Sequence, residues 1–302
     1  IIHNSKIDIT MNHITTASTD EIKNLVGKVR AGKDLTPDKW PDGAPVAVAL
    51  SFDVDTATIA LWNKRHSPSA FSRGEFGARV AMPRILKTLH HYQIPATFFI
   101  PAVSAVLHED LVPAIQAAGV HEIGMHGWIH ESIVDIPADD ERELTLKTYD
   151  FWCEQLQKPP VGIRTPSWDF SEVTLSIINE IGLIYDSSLM ADDRPYEILD
   201  RDRPTGLIEL PVDWKLDDYM YFQIDYERGY HPYIGPDEVF DIWRAEFDGA
   251  CEEGTTFILT MHPQIIGHRS RMPLLNRLIE HMQSRSAWIT TLEKMSAYLQ
   301  ND

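Results

Sequence analysis

The chain reads as an α/β protein: one large domain built around a mostly parallel sheet whose strands curl into a barrel. Three observations carry that expectation. Short runs rich in β-branched and aromatic residues alternate with longer stretches in which apolar residues recur at helical spacing. The runs at 46–52 and 257–261 are apolar almost throughout, as strands covered on both faces are. Polar residues of catalytic type stand directly after the runs: Asp53 and Asp55 after the first, His126 and His130 after the third, Arg164 to Trp168 after the next, and His262 after 257–261. A strand-helix repeat gathers the carboxyl ends of its strands on one face, where such folds place their sites.

Residues 1–42 are polar and mixed, and read as an N-terminal arm suited to packing on another subunit. Within it 19–32 reads as a helix, because Thr19 and Asp20 can cap it and Ile22, Leu25, Val26 and Val29 fall at helical spacing. Pro37 to Pro45 punctuate the entry to the barrel domain, 43–302. Seven strands are expected in it, at 46–52, 96–100, 122–125, 162–164, 182–185, 257–261 and 287–290. Helices are expected at 78–92, 104–118, 138–157, 171–181 and 272–284, with a last one ending at Leu299. Two insertions interrupt the pattern. The first, near 56–77, holds Trp62, Phe71 and Phe76 beside the carboxylates and reads as a substrate wall or lid. The second, 190–236, carries acid pairs at 192–193 and 217–218 and the aromatics Tyr196, Trp214, Tyr219, Tyr221, Phe222, Tyr226, Tyr230 and Tyr233. It suits a ring-shaped substrate or a subunit interface, and both readings stay open.

The formal charge of −18 argues against nucleic acid or an anionic membrane as partner, since both need a basic footprint. Hydrophobic content of 43% and charged content of 24% are ordinary for a globular chain. Cys153 and Cys251 are the only cysteines, and neither lies in a metal-binding or nucleophile signature, so both read as buried thiols. The N-terminus lacks the charged-then-apolar pattern of a signal peptide, and the chain has no apolar run of about 18 residues. A cytoplasmic protein is expected; because the chain begins at Ile1, a leader removed by processing stays open.

The chemistry starts from two pairs. Residues two apart on an extended strand end point the same way, so Asp53 and Asp55 can face one site. Two like charges this close are costly unless a cation separates their roles. His126 and His130 stand four apart, which puts them on one face if that stretch turns helically. Two imidazoles and the Asp55 carboxylate would form a metal site with open positions, as catalytic rather than structural sites have. A divalent ion such as Zn²⁺ lowers the pKa of a coordinated water from ~15.7 to about 7. Asp53 is then free to act as general base, with Arg164 pairing to it and aiming it, and His262 suits proton donation to a leaving nitrogen.

These residues also resemble a known family. Ser51-Phe52-Asp53-Val54-Asp55, His126-Gly127-Trp128-Ile129-His130, Arg164-Thr165-Pro166-Ser167-Trp168 and Leu259-Thr260-Met261-His262-Pro263 are similar, in order, to motifs of the polysaccharide deacetylases, or NodB-homology carbohydrate esterases. The resemblance runs from about 45 to 299. It implies an irregular (β/α) barrel of about seven strands, with Asp53 as base, Asp55, His126 and His130 on a divalent metal, most often Zn²⁺, Arg164 and Trp168 shaping base and pocket, and His262 as acid. Trp62, Phe76 and Trp214 join Trp168 as expected pocket residues, and Asp186 or Asp213 is expected to orient a catalytic group from behind. The first motif departs from the usual adjacent aspartates followed by glycine. Its Asp-x-Asp form, together with 185–190 and 210–214, is similar to the subgroup of peptidoglycan deacetylase-like proteins, cyclic imide hydrolases and allantoinases. The departure leaves open which aspartate binds the metal.

The expected activity is therefore metal-dependent hydrolysis of a non-peptide carbon-nitrogen bond, in a small cyclic imide or amide or in an N-acetylated sugar. Three alternatives accompany it: a peptidoglycan or chitin-oligomer N-deacetylase, a metal-independent ring hydrolase of the allantoinase type, and a noncatalytic glycan-binding barrel. The aromatic insertions and the arm also point to a homo-oligomer, a dimer or tetramer.

Overall fold

The computed structural model of the chain describes residues 16–224, 229 and 233–301. Residues 1–15 of the expected arm, and Tyr226 and Tyr230 of the aromatic series, lie outside the described residues. One sheet contains the strands β1 (Val29–Asp34), β2 (Ala47–Asp53), β3 (Thr97–Ile100), β4 (Glu122–Met125), β5 (Gly162–Ile163), β6 (Tyr185–Asp186), β7 (Tyr196–Asp200), β8 (Arg203–Glu209), β9 (Thr256–Met261) and β10 (Trp288–Thr290).

Seven of them run parallel in the order β9-β2-β3-β4-β5-β6-β8 and form the curled wall of the expected α/β barrel. The seventh wall strand is β8, inside the segment expected to be an insertion. Its sequence, Arg-Pro-Thr-Gly-Leu-Ile-Glu, is polar for its first half and carries a proline and a glycine, so no strand pattern shows there. β10, expected in the seventh place, instead pairs with the first half of β2, on the side that β3 takes along the second half. Beyond β8 the sheet continues antiparallel through β7 to β1.

β2 sets the two layers of the core. Val48, Leu50 and Phe52 face the outer helices, while Ala47, Ala49, Ser51 and Asp53 face the interior, the period of two that a strand imposes. Outside, the helix Met82–Tyr92 turns Met82, Ile85, Leu86 and Leu89 onto the sheet, Pro236–Glu253 turns Val239, Trp243 and Phe247, and Met272–Ser284 turns Leu274, Leu275, Leu278, Ile279 and Met282. These are single apolar stripes at spacings of three and four. Cys153 and Cys251 are both free thiols, half-buried and buried.

Several boundaries differ from the sequence expectation for physical reasons. The first helix spans Thr19–Val26, capped by Ser18 and Glu21 in a reciprocal box, and Gly27 ends it. Val29 then starts β1 on β7, so the described part of the arm is tied into the sheet. Trp40 ties it further, buried against Trp288 and Tyr298. The single helix expected at 104–118 is two, Ala102–Leu107 and Leu111–Ala118. Pro113 has no N–H to give to the carbonyl four residues back, so a helix cannot run through from 107 and restarts at Leu111. Gly182 adopts φ +73 as the cap of the helix Thr174–Ile181, which delays the sixth strand to Tyr185.

Candidate active site

Asp53 is the last inward residue of β2, and Asp55 follows just beyond the strand. The turn there is pinned through the Asp55 carbonyl, which accepts from Thr58 N at 3.0 Å, Thr58 Oγ1 at 2.6 Å and Ser104 Oγ at 2.7 Å. Both aspartates are buried, so each needs a partner.

For Asp53 the partner is Arg164, wholly buried at the end of β5. Its Nη1 donates to Asp53 Oδ1 at 2.8 Å and to Ser51 Oγ at 2.9 Å, and its Nε and Nη2 donate to Ser187 O and Oγ, each at 2.9 Å. The guanidinium lies 4.4 Å over the Phe99 ring. Four donors with fixed acceptors leave the Asp53 carboxylate one orientation. Its second oxygen points toward His126 Nε2, 3.9 Å away.

His126 and His130 converge, though not on a helix. Residues 126–132 form a loop, with Gly127 at φ +71 and His130 itself at φ +59. The left-handed turn at Gly127, and strain at His130, do what a helical turn was expected to do. The loop is clamped on both sides. Buried Glu131 accepts from Trp128 N at 2.9 Å and Ile129 N at 2.8 Å, while Ala102 N and Val103 N, in the first turn of their helix, donate to the carbonyls of Gly127 and Trp128. His126 Nδ1 donates to the Arg164 carbonyl at 2.7 Å, which leaves Nε2 bare toward the site. The same arginine thus aims Asp53 through its side chain and His126 through its backbone.

His262 closes the site from β9. Its Nδ1 lies 2.8 Å from Asp218 Oδ1 and 3.5 Å from Asp217 Oδ1, and its own N–H donates to both oxygens of Asp218 at 3.0 Å. Nε2 therefore faces inward, 3.8 Å from Asp55 Oδ2. Burial alone would lower the imidazole pKa, but Asp217, Asp218 and Asp55 outweigh it and push it well above the usual histidine range.

Asp217 and Asp218 were visible in the sequence only as an acid pair; their partnership with His262 arises from the turn before the helix Asp218–Phe222. The two orienting residues expected instead lie elsewhere. Asp186 is buried behind the site, accepting from Ser188 N and Oγ at 2.9 Å. It shares its pocket with Glu209, and burial raises the Asp186 carboxyl to about 6. Asp213 is a half-exposed helix cap, bonded to Lys215 N at 2.8 Å and to Lys215 Nζ at 2.6 Å. Of the four expected pocket residues, Trp168 is buried and stacks on exposed Trp214 at 4.4 Å. Phe76 stacks on His268 at 4.4 Å and lines the cavity beside Asp55, whereas Trp62 is outside that lining, where Ile59, Ala60 and Asn63 take its side of the helix Thr58–Trp62.

Asp55, His126 and His130 fit a divalent cation. Their ligand atoms all lie within 4.8 Å of one another, with Asp55 Oδ1 at 3.4 Å from His126 Nε2 and 3.8 Å from His130 Nε2. That oxygen is buried and receives no hydrogen bond, a cost that a cation removes. The electrostatics agree in sign. Burial would raise the Asp55 pKa, yet the imidazoles of His130, His126 and His262 hold it down at about 2. Burial keeps His130 below its usual range and so neutral, as a ligand must be. Burial also opposes charge on His126, but Asp53 and Asp55 draw it upward, so the pair pulls positive charge into this spot. A second cluster, Asp217, Asp218 and His262, meets the same distance test, but Asp218 is taken up by hydrogen bonds with His262 and Asp217 accepts from Tyr219 N.

A wall of parallel strands thus carries at its carboxyl end a buried carboxylate, a buried imidazole and a metal-ready triad. Comparison with known proteins assigns it further. The polysaccharide deacetylase family matches residues 47–185. A solved structure from Mycobacterium smegmatis, assigned to the polysaccharide deacetylases, superposes with a TM-score of 0.81 at 31% identity, over 90% of this chain and 96% of that one. The peptidoglycan deacetylase of Helicobacter pylori is 29% identical over 84% of this chain and 97% of its own. An allantoinase shares the fold, with a TM-score of 0.75 at 24% identity over 90% of this chain and 98% of that one. The chain belongs to the polysaccharide deacetylase family, and is thereby a hydrolase of carbon-nitrogen bonds. Among the described residues no helix is long and apolar enough to cross a membrane.

Proposed function

We propose that the chain is a metal-dependent N-deacetylase of amino-sugar amides, of the peptidoglycan or chitin-oligomer type. The carrying observation is the pair of held groups flanking the triad: Asp53, fixed by Arg164, stands 3.9 Å from His126, and His262, fixed by Asp218, stands 3.8 Å from Asp55. Asp55, His126 and His130 would hold the ion, which when bound acidifies a water and polarises the amide carbonyl. Asp53 is placed to take a proton from the attacking water as its oxygen adds to the carbonyl carbon. His262, kept protonated by Asp217 and Asp218, gives its proton to the nitrogen as the carbon-nitrogen bond breaks. Acetate and a free amine leave. Trp168 on Trp214 gives a flat apolar face of the kind sugar rings stack on.

A small cyclic imide or amide is the second reading. The cavity beside Asp55 measures about 690 Å³ and is walled by the first insertion, a size suited to a compact molecule as well as to one sugar unit. We also infer a homo-oligomer, on the exposed Ile22, Leu25 and Val26 of the N-terminal helix; light scattering at micromolar concentration tests it, and a monomer mass overturns it.

The functional test is bound-metal analysis together with hydrolysis of an N-acetylglucosamine oligomer, succinimide, hydantoin and allantoin. The deacetylase reading expects near-stoichiometric metal and acetate release from the oligomer, lost on chelation and restored by Zn²⁺. Imide opening without acetate release selects the second reading, and full activity in verified metal-free protein sinks the mechanism. Asp53→Asn is expected to abolish turnover while keeping metal.

A further inference from the structure

The first insertion and residues 219–224 face each other across the cavity of about 690 Å³. It opens on the active site through Thr56, next to Asp55, through Gln264, whose Nε2 is 3.5 Å from Asp55 Oδ2, and through Tyr219, whose ring is 5.6 Å from that of His262. The chain has 45 Asp and Glu against 27 Lys and Arg. Yet the described lining holds Arg65, Arg73 and Arg271 and no aspartate or glutamate. On so acidic a protein, a wall of one sign that is also the opposite sign to the whole needs a reason.

Two of these guanidiniums, those of Arg73 and Arg271, are fixed by neutral acceptors. Arg73 Nη2 donates to the Gln223 amide oxygen at 2.7 Å. Arg271 donates to the carbonyls of Ile265 at 2.7 Å and Phe222 at 3.3 Å, and lies 4.5 Å over the Phe222 ring. These contacts aim the charge without cancelling it. Asp218, the carboxylate that Arg271 feels, is committed to His262. The potential is legible at His268 on the same wall, which burial and the charges of Arg271, Arg84 and Arg73 hold below its usual pKa range.

We infer that this cavity is a recognition pocket for an oxyanion carried by the substrate, a carboxylate or a phosphate, with Arg73 and Arg271 as its positive walls. The pocket rests on the hydrolase reading only in taking the bound molecule to be the one that is turned over. With the chain as a whole repelling anions, a local cationic pocket both admits such a substrate and separates it from a neutral analogue.

Three amino sugars test it on the zinc-loaded full chain: neutral N-acetylglucosamine, N-acetylmuramic acid with its carboxylate, and N-acetylglucosamine 6-phosphate. At least one anionic sugar is expected to exceed the neutral one by about tenfold or more in kcat/KM, the scale of one well-placed charged contact. The better of the two identifies the group. Arg73→Gln is expected to collapse that ratio toward unity, and in the wild type the ratio is expected to fall as salt rises from about 0.05 to 0.5 M. Equal kcat/KM for all three, or a preference indifferent to both salt and Arg73→Gln, overturns the pocket and leaves the hydrolase standing. Calorimetry with Asp53→Asn separates the two claims. If neither protein turns over any sugar but the variant binds an anionic sugar more tightly than the neutral one, and Arg73→Gln on that background removes the difference, the pocket stands and the hydrolase reading falls. Equal affinities sink the pocket.

Discussion

Arg164→Met is the sharpest probe of how the site is held. Methionine keeps most of the buried stem but removes four donated hydrogen bonds, to Asp53, Ser51 and twice to Ser187, and leaves the buried Asp53 carboxylate without its guanidinium. Breaking a buried ion pair from one side costs about 3–5 kcal/mol, mostly for the charge left behind. At about 2–4 °C of Tm per kcal/mol for a chain of this size class, the fall is roughly 6–20 °C. The structure says where that cost resides, so it also says how to recover part of it. Asp53→Asn in the same background removes the stranded charge, and the double variant is expected to regain at least about 1–2 kcal/mol over Arg164→Met alone. The assay is a double-mutant cycle by urea and thermal unfolding on chelated protein, which keeps metal binding out of the comparison. If the double variant is as unstable as the two single losses added together, Arg164 and Asp53 do not act as a pair and the account of the base given above is wrong.

Three further outcomes are expected. Asp218→Asn preserves shape but weakens the hold on His262, so kcat should fall about ten- to a hundredfold with KM and metal content unchanged; steady-state kinetics with metal analysis checks it, and an unchanged kcat refutes it. Gly74→Ala would put a Cβ 2.2 Å from the Thr56 carbonyl carbon and 2.4 Å from Ala57 N, so the helix Pro68–Phe76 must move off the turn that carries Asp55. Overpacking of that kind costs about 1–3 kcal/mol, and a variant with wild-type Tm and metal affinity would contradict it. Burial pushes the Glu122 carboxyl up to about 7, from 4.5 in an open chain. Between those values the folded state binds more protons than the unfolded one, so this group's contribution to stability is present at low pH and is lost as pH rises through about 7. The stability difference between Glu122→Gln and the wild type should therefore shift in the variant's favour from pH 5 to pH 7, by up to about 1.4 kcal/mol per pH unit; a pH-independent difference in thermal unfolding would rule this out.

Much of the site was legible because it sits where strands end. Asp53, Asp55, His126, Arg164 and His262 each follow an apolar run that a sequence displays plainly, and the structure brings all five together with His130. What was not legible depends on the path of irregular chain. The four-residue spacing of the histidines suggested a helix, whereas the loop gets the same convergence from left-handed residues and from Glu131, which bonds backbone only and so has no sequence signature. Asp186 and Asp213 stand in motif-like surroundings; Asp218, in an aromatic-rich segment, holds His262 because its turn crosses to β9. β8 shows no strand pattern because its first half is polar and carries a proline and a glycine.

The wall of seven parallel strands does not close on itself. Among the described residues β8 and β9 do not pair, and the chain beyond β8 reaches β9 through a single bridge, Asp217 to Thr260. The residue that staples this seam thus adjoins the residue that holds His262. Opening there would part His262 from Asp218 while the rest of the sheet keeps its hydrogen bonds, the kind of local event that costs less than unfolding the whole domain. Whatever braces the seam from outside, including a ligand in the adjoining cavity, also braces His262.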